Sequence, residues 1–171
     1  MNKISEGMKK IILICIILSA MFSVSAKCGV GVQAGADFSR KNIEDKNLPF
    51  VSVSFAMDSS PWVESLDYNV KNKSVEINFE NWVIYKKISG TFNRYFLWGF
   101  GFGALFSDSK KIFSDSRLGA GLNYFAGENG SFEFYIQAVW ALTYGIKKDS
   151  DYKAFLDPLR FPVSGGIRFW F

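Results

Sequence analysis

A short stretch of sequence decides the predicted fold: residues Tyr95 to Phe106 read YFLWGFGFGALF. Glycine stands at every second position from Gly99 to Gly103, and large aromatic residues fill the positions between. A period of two is the period of a β-strand, because successive side chains point to opposite faces of a sheet. The stretch is therefore predicted to be a strand. One face carries Phe96, Trp98, Phe100 and Phe102, and the other carries Leu97 and the glycines.

The same alternation recurs along the chain on both sides of this stretch. In each segment apolar residues share one face, and the other face is mostly glycine, polar or charged, with exceptions such as Tyr135 and Val139. After residue 26 no stripe with the period of a helix accompanies them. The count of predicted strands reaches eight. Apart from Tyr95–Phe106, their apolar faces carry Val30, Val32, Ala34, Ala36 and Phe38; Val51, Val53, Phe55 and Met57; Leu66, Tyr68 and Val70; Val75, Ile77 and Phe79; Leu118, Ala120, Leu122 and Tyr124; Phe132, Phe134, Ile136, Ala138, Trp140, Leu142 and Tyr144; and Phe161, Val163, Ile167, Phe169 and Phe171.

The length of these strands and the size of their apolar faces indicate which face points outward. Many strands reach the ~9 to 11 residues that a tilted strand needs to cross a bilayer, which is longer than usual in soluble sheets. Eight apolar stripes would overfill the lumen of an eight-stranded barrel, which is just wide enough for side chains. We therefore predict an all-β fold over residues 27–171. It is an eight-stranded antiparallel up-and-down transmembrane β-barrel, with glycine, serine, asparagine and a few charges inside.

The links between the predicted strands alternate in length. Short links are expected at Asp58–Pro61, Lys87–Gly90 and Gly127–Gly130, and longer charged links at Ser39–Leu48, Ser107–Ser114 and Lys148–Arg160. Short turns at one end and long loops at the other are typical of an outer-membrane barrel. Lys71–Ser74 is an exception, since it is short where a long loop is expected. Glu64 falls on the lipid-facing side of its strand, so we expect it near a membrane boundary, where a charge costs little.

Residues 1–26 are predicted to be a secretory signal peptide rather than part of the fold. Lysines precede the apolar run Ile11–Phe22, and small residues up to Ala26 follow it, which places the cleavage between Ala26 and Lys27. An uncleaved membrane helix is the alternative, although the run falls short of the roughly 20 apolar residues of a span. A lipidated Cys28 is a second alternative, disfavoured because Lys27 precedes it where such signals have a small residue.

The composition excludes several classes of function. Hydrophobic residues make up 49% of the chain, too many for a disordered segment. The absence of histidine removes Ser/His/Asp and Cys/His nucleophilic sites and most zinc sites. Loss of residues 1–26 would remove three lysines and one glutamate and lower the formal net charge from +4 to +2, too weak to indicate a nucleic-acid partner. It would also remove Cys15 and leave Cys28 unable to form an intrachain disulfide.

The end of the chain carries a more specific pattern. Residues 161–171 read FPVSGGIRFWF, and one face carries Phe161, Val163, Ile167, Phe169 and the terminal Phe171. This resembles the last strand of bacterial outer-membrane proteins, which ends in an aromatic residue. The resemblance implies that these five residues form a signal for the barrel assembly machinery. By pattern, the chain resembles the small eight-stranded barrels of the OmpX type and the OmpA membrane domain.

A set of charged residues falls on the faces predicted to line the lumen. Its members are Asp37, Asp67, Glu76, Glu80, Arg117, Glu133 and Arg168. Charges in a low-dielectric interior need partners, so a polar network that plugs the barrel is expected. The alternative is a carboxylate or cation site at Asp67, Glu76 and Glu80, which a narrow lumen disfavours. Asp149-Ser150-Asp151 lacks the glycine and terminal glutamate of a calcium loop, and neither a metal nor a cofactor is expected.

The sequence therefore predicts a non-enzymatic barrel in the bacterial outer membrane. Its expected partners are outer-membrane lipid and the barrel assembly machinery. An external ligand or host surface could be met by the loops around Arg40–Lys46, Asp108–Lys111 and Lys147–Lys153 in a structural, adhesive or protective role. The alternative is a narrow channel or a carrier of small hydrophobic molecules, as in the OmpW type. A lipid-modifying outer-membrane enzyme would need the histidine that this chain lacks.

Overall fold

The computed structural model describes residues 27–39, 48–71, 73–89, 91–106, 110–127, 130–148 and 152–171. These residues form a closed barrel in which each strand pairs antiparallel with the next and the last pairs with the first. The predicted all-β, eight-stranded up-and-down architecture is confirmed. In the described ranges no helix is long and apolar enough to cross a membrane. The strands are β1 (Cys28–Ser39), β2 (Leu48–Met57), β3 (Trp62–Asn69), β4 (Ser74–Ser89), β5 (Phe92–Leu105), β6 (Lys110–Ala126), β7 (Phe132–Lys148) and β8 (Tyr152–Trp170).

The barrel carries its apolar side chains outside and its polar side chains inside. In β5, Trp98 is 42% exposed while its neighbour Leu97 is fully buried. Outward exposure of large apolar residues is repeated on every strand, and the most deeply buried side chains include Arg168 and Glu133. This distribution is the reverse of that in a water-soluble protein, where charged residues are almost never fully buried.

The strands are longer than the sequence pattern predicts at three places. β8 begins at Tyr152 and β6 at Lys110, so the predicted loops Lys148–Arg160 and Ser107–Ser114 are largely strand. The charged residues that suggested loops instead pair across the ladder near the rim of the barrel, as Lys147 does with Lys153. β4 continues to Ser89 and β5 begins at Phe92, so three residues of the predicted turn Lys87–Gly90 belong to β4.

The two ends of the barrel differ. At one end the start of β1 meets Phe171, since the Cys28 amide donates to the Phe171 carbonyl at 3.0 Å and the Phe171 amide donates to the Cys28 carbonyl at 2.9 Å. The turns Asp58–Pro61 and Gly127–Gly130 lie at this turn end, and positive φ angles of 82° and 70° at Gly127 and Gly130 suit glycine. The opposite, loop end carries the links to which residues 40–47, 107–109 and 149–151 belong. Those residues, the Asp149-Ser150-Asp151 motif and residues 1–26 lie outside the described residues.

Glu64 lies on the outer face of β3, close to the turn end. It is exposed and is the third residue of β3, which begins at Trp62. Its outward direction agrees with the alternation of the sequence. Its position at a membrane boundary stays a prediction.

Candidate functional site

The loop-end half of the lumen is organised around Arg160. Its guanidinium donates from Nε to Asp37 at 2.7 Å, from Nη1 to Asp115 at 3.1 Å and from Nη2 to Glu76 at 3.0 Å. These carboxylates come from β1, β6 and β4, while Arg160 belongs to β8. One side chain therefore connects four strands across the interior of the barrel.

Arg117 forms a second layer of the network, on the turn-end side of Arg160. Its Nη1 donates to Glu76 at 2.8 Å and to Asn78 at 2.9 Å, and its Nε donates to Glu80 at 3.1 Å. The side chain of Arg117 is 4% exposed, so these bonds form away from water. Because Glu76 binds Arg117 with one oxygen and Arg160 with the other, the two layers form one continuous network.

Asp67 joins this network without an arginine partner among the described residues. Its carboxylate accepts from Asn78 Nδ2 at 2.9 Å and from Ser65 Oγ at 3.0 Å. The three carboxylates considered as a catalytic or cation site, Asp67, Glu76 and Glu80, are thus each held by donors of the protein. No group of histidine, cysteine, aspartate or glutamate in the described ranges is placed to hold a metal ion.

Glu133 and Arg168 form a separate cluster near the turn end. Arg168 Nη1 donates to Glu133 at 2.7 Å, and Trp170 Nε1 donates to the same carboxylate oxygen at 3.0 Å. Asn123 donates to the other oxygen of Glu133. The seven residues predicted as one network therefore lie in two clusters at opposite ends of the lumen. Asp37, Asp67, Glu76, Glu80 and Arg117 belong to the loop end, and Glu133 and Arg168 belong to the turn end.

An aromatic layer separates the two clusters. The rings of Trp82 and Tyr95 stack at 3.8 Å, and the Tyr95 hydroxyl donates to Gln137 at 3.1 Å. Gln137 in turn donates to Glu80 at 3.2 Å, which ties this layer to the loop-end network. Trp82 and Tyr95 thus lie inside the barrel beside the glycine, serine, asparagine and charged residues predicted for the lumen.

Glycines on neighbouring, paired strands explain how aromatic rings fit inside so narrow a barrel. A Cβ at Gly121 would overlap the ring of Tyr95, and a Cβ at Gly166 would lie 2.6 Å from the ring of Tyr135. Real Cβ contacts are essentially never closer than 3.0 Å. The glycines predicted for the inner face thus leave space that inward aromatic rings occupy.

Two important lumen residues, Arg160 and Asp115, are absent from the predicted network. Both fall in or beside segments that their charges and prolines mark as loops. The sequence nevertheless carries a signal for both. Arg160 is eight positions before Arg168 and Asp115 is two positions before Arg117, and an even offset in a strand places two side chains on the same face. Extending the alternation of each strand outward would have placed both inside.

A cavity lies at each end of the lumen. The loop-end cavity measures about 280 Å³ and is lined by charged residues such as Asp37 and Arg160 and by apolar ones such as Phe50. The turn-end cavity measures about 510 Å³ and is lined by Trp82 and Arg168 among others. None of the described residues lines both cavities.

The remaining predicted residues lie on the surface of the barrel or beyond the described ranges. Lys27 is exposed beside the turn end, and Ala26 lies outside the described residues. The five residues of the proposed assembly signal all point outward from β8 and the chain end: Phe161, Val163, Ile167, Phe169 and Phe171.

Comparisons with known proteins identify similar barrels at low sequence identity. The Yersinia pestis outer membrane protein Ail, solved in a phospholipid bilayer nanodisc, is 17% identical, with 85% of this chain and 100% of that chain covered and a TM-score of 0.37. Neisserial surface protein A is 10% identical, with 84% and 97% of the two chains covered and a TM-score of 0.30. No protein-family model matches the chain, and no curated protein matches it significantly.

Proposed function

We propose that this chain is a non-enzymatic barrel of the bacterial outer membrane whose lumen is plugged by ion pairs. Residues 1–26 would direct its export, and the loops of the loop end would face the outside in a structural, adhesive or protective role. The observation that carries the proposal is the reversed polarity of the barrel, with apolar residues outside and paired charges inside.

The outer surface supports a lipid environment. Exposed apolar side chains follow every strand around the barrel, whereas soluble monomers rarely expose apolar patches larger than a few hundred Å². A closed barrel also satisfies the backbone hydrogen bonds of all its strands, which is the condition for β-strands to cross a bilayer. Contact with lipid would remove the large free-energy cost of wetting this surface.

The interior supports a plug rather than a catalytic site. Arg117 and Arg160 bind carboxylates from several strands, so the network spans the lumen at the loop end. Buried charges are costly unless they are paired, and the ionised groups here are arranged to meet that need. A carboxylate engaged in this way is not available to a substrate.

A second candidate is a narrow channel or a carrier of small hydrophobic molecules. The loop-end cavity favours it, because Leu48, Phe50 and Leu105 give that cavity apolar walls above the ion pairs. The plug and the channel differ in one measurable property, which is the passage of ions through the lumen.

Cell fractionation and planar-bilayer recording test the proposal together. We expect the chain in the outer-membrane fraction, with a gel migration that changes on heating, and no defined single-channel steps after reconstitution. A soluble periplasmic protein would contradict the membrane placement. Defined conductance steps from a correctly folded sample would contradict the plug and favour the channel.

A further inference from the structure

Arg168 is enclosed at the turn end by three aromatic rings. The centre of its guanidinium lies 5.3 Å, 4.9 Å and 5.8 Å from the ring centroids of Trp82, Tyr135 and Trp170. The residue is 1% exposed, and its Nη1 is paired with Glu133. The three aromatic rings and the carboxylate of Glu133 therefore fix the orientation of the guanidinium.

The other edge of this guanidinium has no hydrogen-bond partner among the described residues. Nε and Nη2 of Arg168 are both buried and unpaired. These two nitrogens present parallel N–H bonds along one side of the group, and this fork matches the two oxygens of a carboxylate. Glu133 uses the Nη1 end of the guanidinium and leaves the fork intact.

A third unpaired donor belongs to the same place. Nε1 of Trp82 has no partner within the described part of the chain, and Trp82 lines the turn-end cavity together with Arg168. Most buried donors in proteins are paired, because an unpaired one loses its hydration without compensation. Three such donors on two residues of one cavity indicate a missing acceptor.

The cavity wall restricts the chemistry of that acceptor. Its volume of about 510 Å³ is bounded by apolar residues that include Val63 and Phe125. The lining carries Lys27 and Arg168 against Asp58 and Glu133, so it has no net charge, and recognition depends on the fork rather than on a general positive field. A planar oxyanion attached to an apolar group could accept hydrogen bonds from the unpaired donors and pack against the apolar lining of the cavity.

We propose that the turn-end cavity binds a small organic carboxylate. Its two oxygens would accept from Nε and Nη2 of Arg168, and its apolar part would pack in the cavity beside Phe125. The proposal goes beyond the plugged-barrel function and does not depend on it, because it concerns the folded barrel alone.

Benzoate and benzamide form a matched pair of probes, since they share size and shape and differ in the carboxylate. We expect benzoate, titrated into the full folded chain in detergent micelles, to shift the Trp82 indole N–H resonance in a saturable way, with assignment by Trp82→Phe. Benzamide should bind at least about tenfold more weakly, the factor expected for loss of a charge-assisted pair. Equal shifts with both probes would overturn the proposal. No shift with either probe would also overturn it, and would mean that contact with the three aromatic rings is enough to stabilise the buried guanidinium.

Variants locate the site. Arg168→Lys keeps the charge but removes the fork, so benzoate affinity should fall at least about tenfold. Arg94→Lys changes an exposed arginine on the outer face and should leave affinity within about twofold, because Arg94 does not line the turn-end cavity. Should Arg168→Lys fail to fold, Trp82→Phe removes one donor and should weaken binding of benzoate more than of benzamide, as followed by calorimetry. Unchanged affinity in the folded Arg168→Lys or Trp82→Phe variant contradicts the site.

Discussion

Gly101 shows at the scale of one residue how the inner face of β5 makes room for charge. A Cβ at this position would lie 2.5 Å from Asn78 Oδ1 and 3.0 Å from Glu76 Oε1, and would also overlap Asp115. Asn78 and Glu76 are two of the three acceptors given above for Arg117. The glycine is therefore part of the geometry that holds the ion-pair network.

We expect Gly101→Ala to lower the free energy of unfolding by about 1 to 3 kcal/mol, the usual range for overpacking a filled interior. Gly165→Ala is the matched control, because its Cβ would meet only the Tyr135 carbonyl, at an ordinary 3.5 Å. Urea unfolding in micelles measures both. Equal stability of the two variants would show that the Arg117 network does not approach Gly101 as described.

Arg160 is the cation that holds three carboxylates of the loop-end network. Arg160→Met would leave the carboxylates of Asp37, Glu76 and Asp115 with one cation fewer. Removing one partner from a buried charge pair costs about 3 to 5 kcal/mol, and we expect a loss of unfolding free energy in that range. Arg94→Met changes an exposed arginine on the outer face and should shift stability by less than about 1 kcal/mol. The same urea titration compares them, and a neutral Arg160→Met would contradict the plug.

At the scale of the strand, the alternation of side chains predicts most of the barrel. It assigns the outward aromatic residues of β5 and the inward charges Arg117 and Arg168, because a strand has a fixed period that a short sequence can reveal. It fails in the first half of β8. There Asp157 and Arg160 both face the lumen although they are three positions apart, an odd offset, and the β7–β8 register shifts between Ala141 and Thr143 to accommodate this.

The chemistry of β8 explains that failure. Pro158 cannot donate to a ladder, and prolines in sheets are confined to edges, strand starts and bulges. A proline beside charged residues therefore indicates a loop when only the sequence is considered. Three-dimensional context keeps the segment in the sheet, since Trp140 Nε1 donates to the Pro158 carbonyl at 2.8 Å. The division of the polar residues into two clusters was likewise beyond the sequence, because it depends on the register between strands.

The end of β8 provides a prediction about biogenesis. Phe171→Ser should reduce the amount of folded barrel in the outer membrane severalfold if the terminal aromatic residue is read during assembly. Phe132→Ser removes an outward phenylalanine that pairs with Phe169 near the same end and serves as the control. Both variants should refold in micelles with similar urea midpoints, so that a loss confined to Phe171→Ser in cells reflects recognition. Equal assembly of the two variants contradicts the assembly signal.

At the scale of the whole molecule, the unusual aromatic content acquires a physical meaning. Aromatic residues make up 18% of the chain, and many of them lie exposed on the outer wall, including Trp98, Phe100 and Phe102. In water such a surface would drive aggregation, whereas in lipid it is the stable surface. The buried residues are mostly polar or charged, so the barrel owes its specificity to paired groups rather than to an apolar core.

Lipid quenching of tryptophan fluorescence can distinguish the outer wall of the barrel from its interior. Two variants are needed, each with four of the five tryptophans changed to phenylalanine, leaving Trp98 near the middle of the outer face of β5 or Trp82 inside. In bilayers whose acyl chains carry bromine, we expect strong quenching of Trp98 and little quenching of Trp82. Equal quenching of both, or quenching of Trp82 alone, would contradict an apolar wall that faces lipid around a polar interior.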